Sequence, residues 1–194
     1  MHKWFVLAPV CLVQAYTKLS DAGLRALSNH ARDISAQSPL LSPILIPRVP
    51  GSEGSYKALT HFDAFFRANL SGWDITYDNF TAMTPYGESN FSNFIATRDP
   101  PWMSETTTGD VGRLTLVAHY DSLSTLDGFI GATDSAAPCA VLMYVAQALE
   151  EAFNAKWASG GDESDYAQGF QIIFLDGEEA FQSWSRTDST YGAR

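Results

Sequence analysis

The chain has 194 residues, enough for one domain with a real hydrophobic core and not clearly for two. An apolar fraction of 45% with 13% aromatics excludes a disordered chain. The net charge of −10 argues against nucleic acid or an anionic membrane as the partner. Solubility is the plainer reading of that charge, and cationic peptides are the partners it would favour.

Residues 1–15 read as a secretory signal peptide, leaving 16–194 as the mature chain. His2 and Lys3 form a weakly basic start, Trp4 to Val13 is apolar but too short to span a bilayer, and Val13-Gln14-Ala15 offers a cleavage site. A buried N-terminal strand is the alternative. Three glycosylation sequons, Asn69-Leu70-Ser71, Asn79-Phe80-Thr81 and Asn90-Phe91-Ser92, agree with secretion. Cys11 leaves with the signal. Cys139 then stands alone, and its place inside an apolar helical segment predicts a buried, inert thiol.

Residues 18–35 carry Leu19, Leu24 and Leu27 at amphipathic-helix spacing. A Pro/Gly/Ser-rich connector follows from Ser38 to Gly54, and the two prolines of its Ile46–Ser52 stretch, at 47 and 50, forbid a central strand or a helix interior. A helix is expected from Gly54-Ser55 to about Ala68, with Leu59, Phe62, Phe65 and Phe66 on one face. Trp73 to Phe80 reads as an edge strand and Asn90 to Ala96 as another, stopped by Asp99-Pro100-Pro101. After a polar turn at 106–110, Arg113 to His119 has the continuous apolar character of a buried strand. Ala136 to Phe153 predicts the best helix, Ser159 to Asp165 an acidic loop, and Gln171 to Leu175 a second buried strand. This order predicts an α/β fold, a three-layer α/β/α sandwich around a mixed, centrally parallel twisted sheet. Only its N-terminal part is expected to be present, because the last residues do not read as the end of a domain.

Chemistry-bearing residues gather where strands end, the rim at which α/β sheets bind ligands. Asp134, in Gly131-Ala132-Thr133-Asp134-Ser135-Ala136, precedes the long helix and suits either a helix cap or a metal ligand. Glu178 and Glu179 follow the Gly177 turn. They suit either a dipole-complementing first helical turn or a division of work, one carboxylate on a metal and its neighbour free to move protons. His119, in His119-Tyr120-Asp121-Ser122, is either a metal ligand or a hydrogen-bonded structural residue. Asp176 is read as an orienting or turn residue, and Trp184 as pocket lining or packing. No Gly-x-Ser-x-Gly elbow appears, and neither Ser122 nor Ser135 has an evident activating partner.

These residues resemble the glutaminyl-peptide cyclotransferases, relatives of the zinc aminopeptidases of peptidase family M28. The likeness runs in order from Ile44-Leu45-Ile46-Pro47-Arg48-Val49-Pro50-Gly51-Ser52 through Thr84-Pro85-Tyr86-Gly87 and Phe91-Ser92-Asn93. It continues through His119-Tyr120-Asp121-Ser122, Gly131 to Cys139 and Asp176 to Tyr191-Gly192. The path after the glutamate pair, through Phe181, Trp184-Ser185 and Asp188-Ser189, is that of the cyclases rather than of ordinary aminopeptidases. The resemblance implies zinc-assisted conversion of N-terminal glutamine in peptides to pyroglutamate with release of ammonia. It implies Asp134 and Glu179 as ligands of one Zn2+ ion, Glu178 as general acid/base and Trp184 in the substrate pocket. His119 stays outside the implied ligand set.

Two departures qualify it. Ala118 stands where animal members carry a cysteine paired with the one matching Cys139. The third zinc ligand, a histidine, and a further catalytic aspartate are expected beyond residue 194. A fragment or truncated product, inactive or nearly so, is therefore expected. The other readings are an M28-type zinc aminopeptidase and a secreted non-catalytic binding protein.

Overall fold

The computed structural model describes residues 34–103, 111–158 and 168–194. The expected signal peptide, nearly all of the helix expected over 18–35, the turn at 106–110 and the acidic loop from 159 lie outside the described residues.

The first long helix, α1 (Glu53–Asn69), begins one residue earlier than expected because Ser52 caps it. The Ser52 side chain accepts the Ser55 N–H at 3.2 Å, and Glu53 stands in the first turn, where a negative charge complements the helix dipole. Its Phe62, Phe65 and Phe66 are buried as the spacing predicts. Strands β1 (Asp74–Thr84) and β2 (Gly87–Arg98) form one long antiparallel hairpin, several residues longer at the turn than the sequence pattern suggests. The turn is built by Thr84, whose Oγ1 donates to the Gly87 carbonyl at 2.8 Å and accepts the Tyr86 N–H at 3.1 Å. Strand β1 is exposed along most of its length, so it lacks the inside–outside alternation by which a half-buried strand is recognised.

Strand β3 (Gly112–His119) and strand β4 (Gln168–Leu175) pair in parallel, and the long helix α2 (Ala137–Trp157) lies between them in sequence. Sheet order is β1-β2-β4-β3, with β2 antiparallel to β4. The α/β class with a mixed sheet holds. Parallel pairing among the described strands is confined to β3 and β4. Phe94 and Ala96 of β2 share one cluster with Phe170, Ile172 and Phe174 of β4, and both helices pack into it. Phe62 is its centre: it stacks on Phe174 at 4.2 Å and meets Tyr120 edge-on at 5.7 Å. The opposite sheet face carries Ile95, Thr97, Gln171, Ile173, Thr115 and Val117, paired across three strands. None of these joins the cluster that the helices form. The described residues thus supply two of the three expected layers.

Parallel pairing has one consequence for chemistry. His119 and Leu175 are register partners, so β3 and β4 end side by side. The segments His119-Tyr120-Asp121 and Asp176-Gly177-Glu178-Glu179 leave the sheet together.

Candidate active site

Asp121 gathers the rim. It is fully buried, and its two carboxylate oxygens accept the Glu178 N–H at 3.0 Å and the Glu179 N–H at 2.9 Å. The sharp exit from β4 depends on Gly177 at φ +66, where a side chain would also strike the ring of Phe91. No helix follows the glutamate pair, so the dipole-complementing reading of Glu178 and Glu179 is corrected: a side-chain carboxylate from another strand end takes their backbone N–H groups.

Asp134 is not a helix cap either. The preceding Gly131 has φ +48, and residues 132–136 form one irregular turn in which Asp134 has the non-helical angles φ −129 and ψ 88. Helix α2 starts from Ala136 without a side-chain cap. Freed from that duty, Asp134 keeps a side chain 78% exposed, and its Oδ1 lies 2.8 Å from His119 Nε2. The other ring nitrogen of His119 is 3.2 Å from Asp121 Oδ1, and Glu178 Oε2 is 3.9 Å from Nε2. His119 is therefore a hydrogen-bonded hub between carboxylates. Ser135 Oγ and Cys139 Sγ both donate to its backbone carbonyl. Cys139 is buried as expected, and burial pushes its thiol up to about 12.

One histidine faces several acids, and their protonation reflects it. Burial works against the His119 charge, but the hydrogen bonds to Asp121 and Asp134 and the nearby Glu178 overcome this and raise it to about 9. Burial, then the fields of Asp121 and Glu178, push Glu179 up to about 7, and burial also raises Glu178. Asp176, pushed to about 7 by burial and by Asp121, acts on the scaffold: its Oδ2 accepts the Ser92 N–H of β2 at 3.0 Å.

Trp184 is 59% exposed, so the core-packing reading does not apply to it. Its loop is wound around Asp188, which accepts the N–H groups of Phe181, Gln182 and Ser183, each at 2.9 Å, and the Tyr191 hydroxyl at 2.9 Å. Sequence reasoning named Asp188 only as part of a path. Its partners are backbone N–H groups, which every non-proline residue offers, so no residue pattern marks the duty of Asp188 in the sequence.

Among the described residues, no group of three or more His, Cys, Asp or Glu is arranged to hold a metal ion. Asp134 and Glu179 have the right donor chemistry for zinc, and the raised proton affinity of Glu179 marks a site where a cation would relieve repulsion. The pair suits a cation in charge but falls short of a zinc site in ligand number.

Residues 102–194 match Peptidase family M28. The chain is 42% identical over 179 residues to a glutaminyl-peptide cyclotransferase-like protein of Bos taurus, covering 91% of this chain and 43% of the relative. It is 41% identical over 160 residues to the glutaminyl-peptide cyclotransferase of Boiga irregularis, covering 79% of this chain and 41% of the relative. The crystal structure of Macrostomum lignano glutaminyl cyclase superposes with a TM-score of 0.65 at 35% identity, over 84% of this chain and 44% of that one. The chain spans less than half the length of these relatives.

Proposed function

We propose, from the M28 match and the likeness to glutaminyl cyclases, that this chain carries the core of a glutaminyl-peptide cyclotransferase. Its substrates are peptides with an N-terminal glutamine, its product is pyroglutamate, and ammonia leaves. The observation that carries the reading is the meeting of Asp134, Glu178 and Glu179 around His119 at one sheet rim.

In this reading Asp134 and Glu179 hold one zinc ion together with a ligand outside the described residues. Bound zinc supplies a Lewis acid that polarises the substrate γ-carbonyl. The α-amine attacks that carbonyl carbon, a C–N bond forms, and the bond to the side-chain nitrogen breaks. Glu178 takes the proton from the attacking amine and delivers it to the departing nitrogen. Its carboxyl is raised from the usual range by burial, which brings its proton affinity closer to that needed near neutral pH. Trp184 offers an exposed aromatic face to fold the glutamine side chain back on its own amine.

The secretory reading draws support from the exposure of all three sequon asparagines, Asn69, Asn79 and Asn90. Among the described residues no helix is long and apolar enough to cross a membrane. The test is to incubate protein secreted by its native source with a short glutamine-initial peptide and follow it by mass spectrometry. Loss of ammonia from an intact peptide, abolished by a chelator and restored by zinc, is the expected result. Release of the first residue would make it an aminopeptidase, and no change would make it a non-catalytic product.

A further inference from the structure

Arg48 lies in the proline-bounded connector, yet among the described residues it is the largest side chain removed entirely from solvent. Such a cation has lost its water and must find acceptors. Five backbone carbonyls supply them. Nε donates to Tyr120 O at 2.5 Å, and Nη1 donates to Ile46 O at 2.8 Å, to Ile130 O at 2.7 Å and to Ile44 O. Nη2 donates to Gly131 O at 3.3 Å. The backbone of Arg48 also grips the same strand end: its N–H donates to Ser122 Oγ at 2.8 Å, and its carbonyl accepts the Ser122 N–H at 3.3 Å.

The two segments tied in this way are the ones that matter at the rim. Residues 120–122 follow His119 and contain Asp121, and residues 130–131 open the turn that presents Asp134. The junction is tight. A Cβ at Gly131 would come within 3.4 Å of Arg48 Nη2 and would collide with the Asp134 carbonyl. One guanidinium, with donors splayed in a plane, spans both segments. A lysine ammonium on its flexible stem does not.

We propose that Arg48 is the positioning residue of this site: by fastening Ile130 and Gly131 to Tyr120, it sets where Asp134 stands relative to His119, Asp121 and Glu178. The inference deepens the proposed function, because it presumes that Asp134 works with the glutamate pair. Arg48 touches no reacting atom and acts through the backbone of the Asp134 turn.

The test compares the full chain with Arg48→Lys and Arg48→Met by hydrogen exchange and by zinc titration against a chromophoric chelator. Local exchange at 119–122 and 130–136 should rise at least about tenfold, with α1, β2 and β4 unchanged. Zinc affinity should fall by about 10- to 100-fold, as for other residues that orient a ligand. In an Asp134→Asn background the Arg48→Lys change should cost no further affinity. Unaltered exchange at 130–136, uniform loss of protection along the chain, or failure of Arg48→Lys to fold would each overturn the proposal, assigning Arg48 no local role or only a global one. A parent chain that binds no zinc defeats the metal reading alone, since the exchange pattern still decides the role of Arg48.

Discussion

The helix-facing side of the sheet and the rim where β3 and β4 end are built on opposite principles. Along the helix-facing side of the sheet, Phe62, Phe66, Phe94 and Phe174 are wholly buried in ring-to-ring contact with Ile172 buried beside them, and each adds to stability by leaving water. At the strand ends, Asp121, Asp134, Glu178 and Glu179 crowd one histidine, with Asp176 beside Asp121, and burial pushes the carboxyls of Asp176, Glu178 and Glu179 toward neutrality. Tyr120, Ala136 and Cys139 tie the rim into the core cluster, but packing does not place its carboxylates. Main-chain N–H groups donating to Asp121 and carbonyls accepting from Arg48 do. The difference teaches that this fold gathers its stability on one side of the strands and sets the resulting margin against an electrostatically costly rim. That is the pattern expected where local rules are broken for chemistry.

If the division is real, the two regions should respond to mutation in different observables. The largest expected effect is Glu178→Gln, which should lower cyclisation by about 10²–10⁴-fold. Chelator-competed zinc affinity and the unfolding midpoint should change little, because the backbone N–H of Glu178, not its carboxylate, holds Asp121. Steady-state turnover on a glutamine-initial peptide measures the first, and urea denaturation the second. Phe62→Ala should do the reverse. It opens a cavity between Phe174, Phe94 and Tyr120 and should cost about 3–5 kcal/mol of stability. Rim chemistry should survive in whatever fraction remains folded. Loss of zinc affinity in the folded Phe62→Ala protein would show that the regions are not separable.

The rim's cost should also appear as pH dependence. Asp176 rises from 3.8 to about 7 on folding, so the stability it contributes is fully present below about pH 4 and is lost as pH climbs through 7. His119 rises from 6.5 to about 9, so its contribution is fully present below pH 6.5 and is lost as pH climbs through 9. Both signs predict that the metal-free chain weakens steadily from pH 5 to pH 9. Asp176→Asn should flatten the curve between pH 4 and 7 and raise stability at pH 8 by on the order of 2–3 kcal/mol. Urea midpoints at pH 5, 7 and 8 decide it, and an Asn variant weaker than the parent at pH 8 would mean that the buried carboxylate is a net asset.

Elements whose stability comes from local apolar pattern were legible in the sequence. Strand β4 announces itself as a continuous apolar run, helix α2 by its Ala, Leu and Val content, and α1 by the spacing of its phenylalanines. The apolar run of β3 places a strand, but the expected burial is corrected: β3 is an edge of the described sheet, and its Leu114 and Val117 are exposed. Hairpin β1–β2 was readable only in part, because a strand exposed on both faces carries no periodicity. At the rim the residue types were visible, but their duties were open. Asp134 reads equally as a cap until the positive φ of Gly131 bends the chain away from helix geometry. Asp121 meets its backbone partners 57 and 58 residues later, and Arg48 meets Ile130 across 82 residues. A side chain that serves distant main-chain groups leaves no local pattern to read.

The smallest expected effect probes whether the stable side is itself uniform. Ser52 caps α1 through a single hydrogen bond to the Ser55 N–H, half-exposed at the start of the helix. Removing it in Ser52→Ala leaves one backbone donor to water and should cost about 1 kcal/mol. The apolar contacts of α1 begin at Ala58, more than a turn later, so the loss should stay in the first turn. Hydrogen exchange should then quicken at residues 53–56 while Phe62 and Phe66 keep their protection. Quickening along the whole helix would instead mean that the aromatic face needs the cap to hold its register against the sheet. The core would then depend on a polar contact in the same way as the rim, and the contrast between the two regions would narrow to a difference of degree.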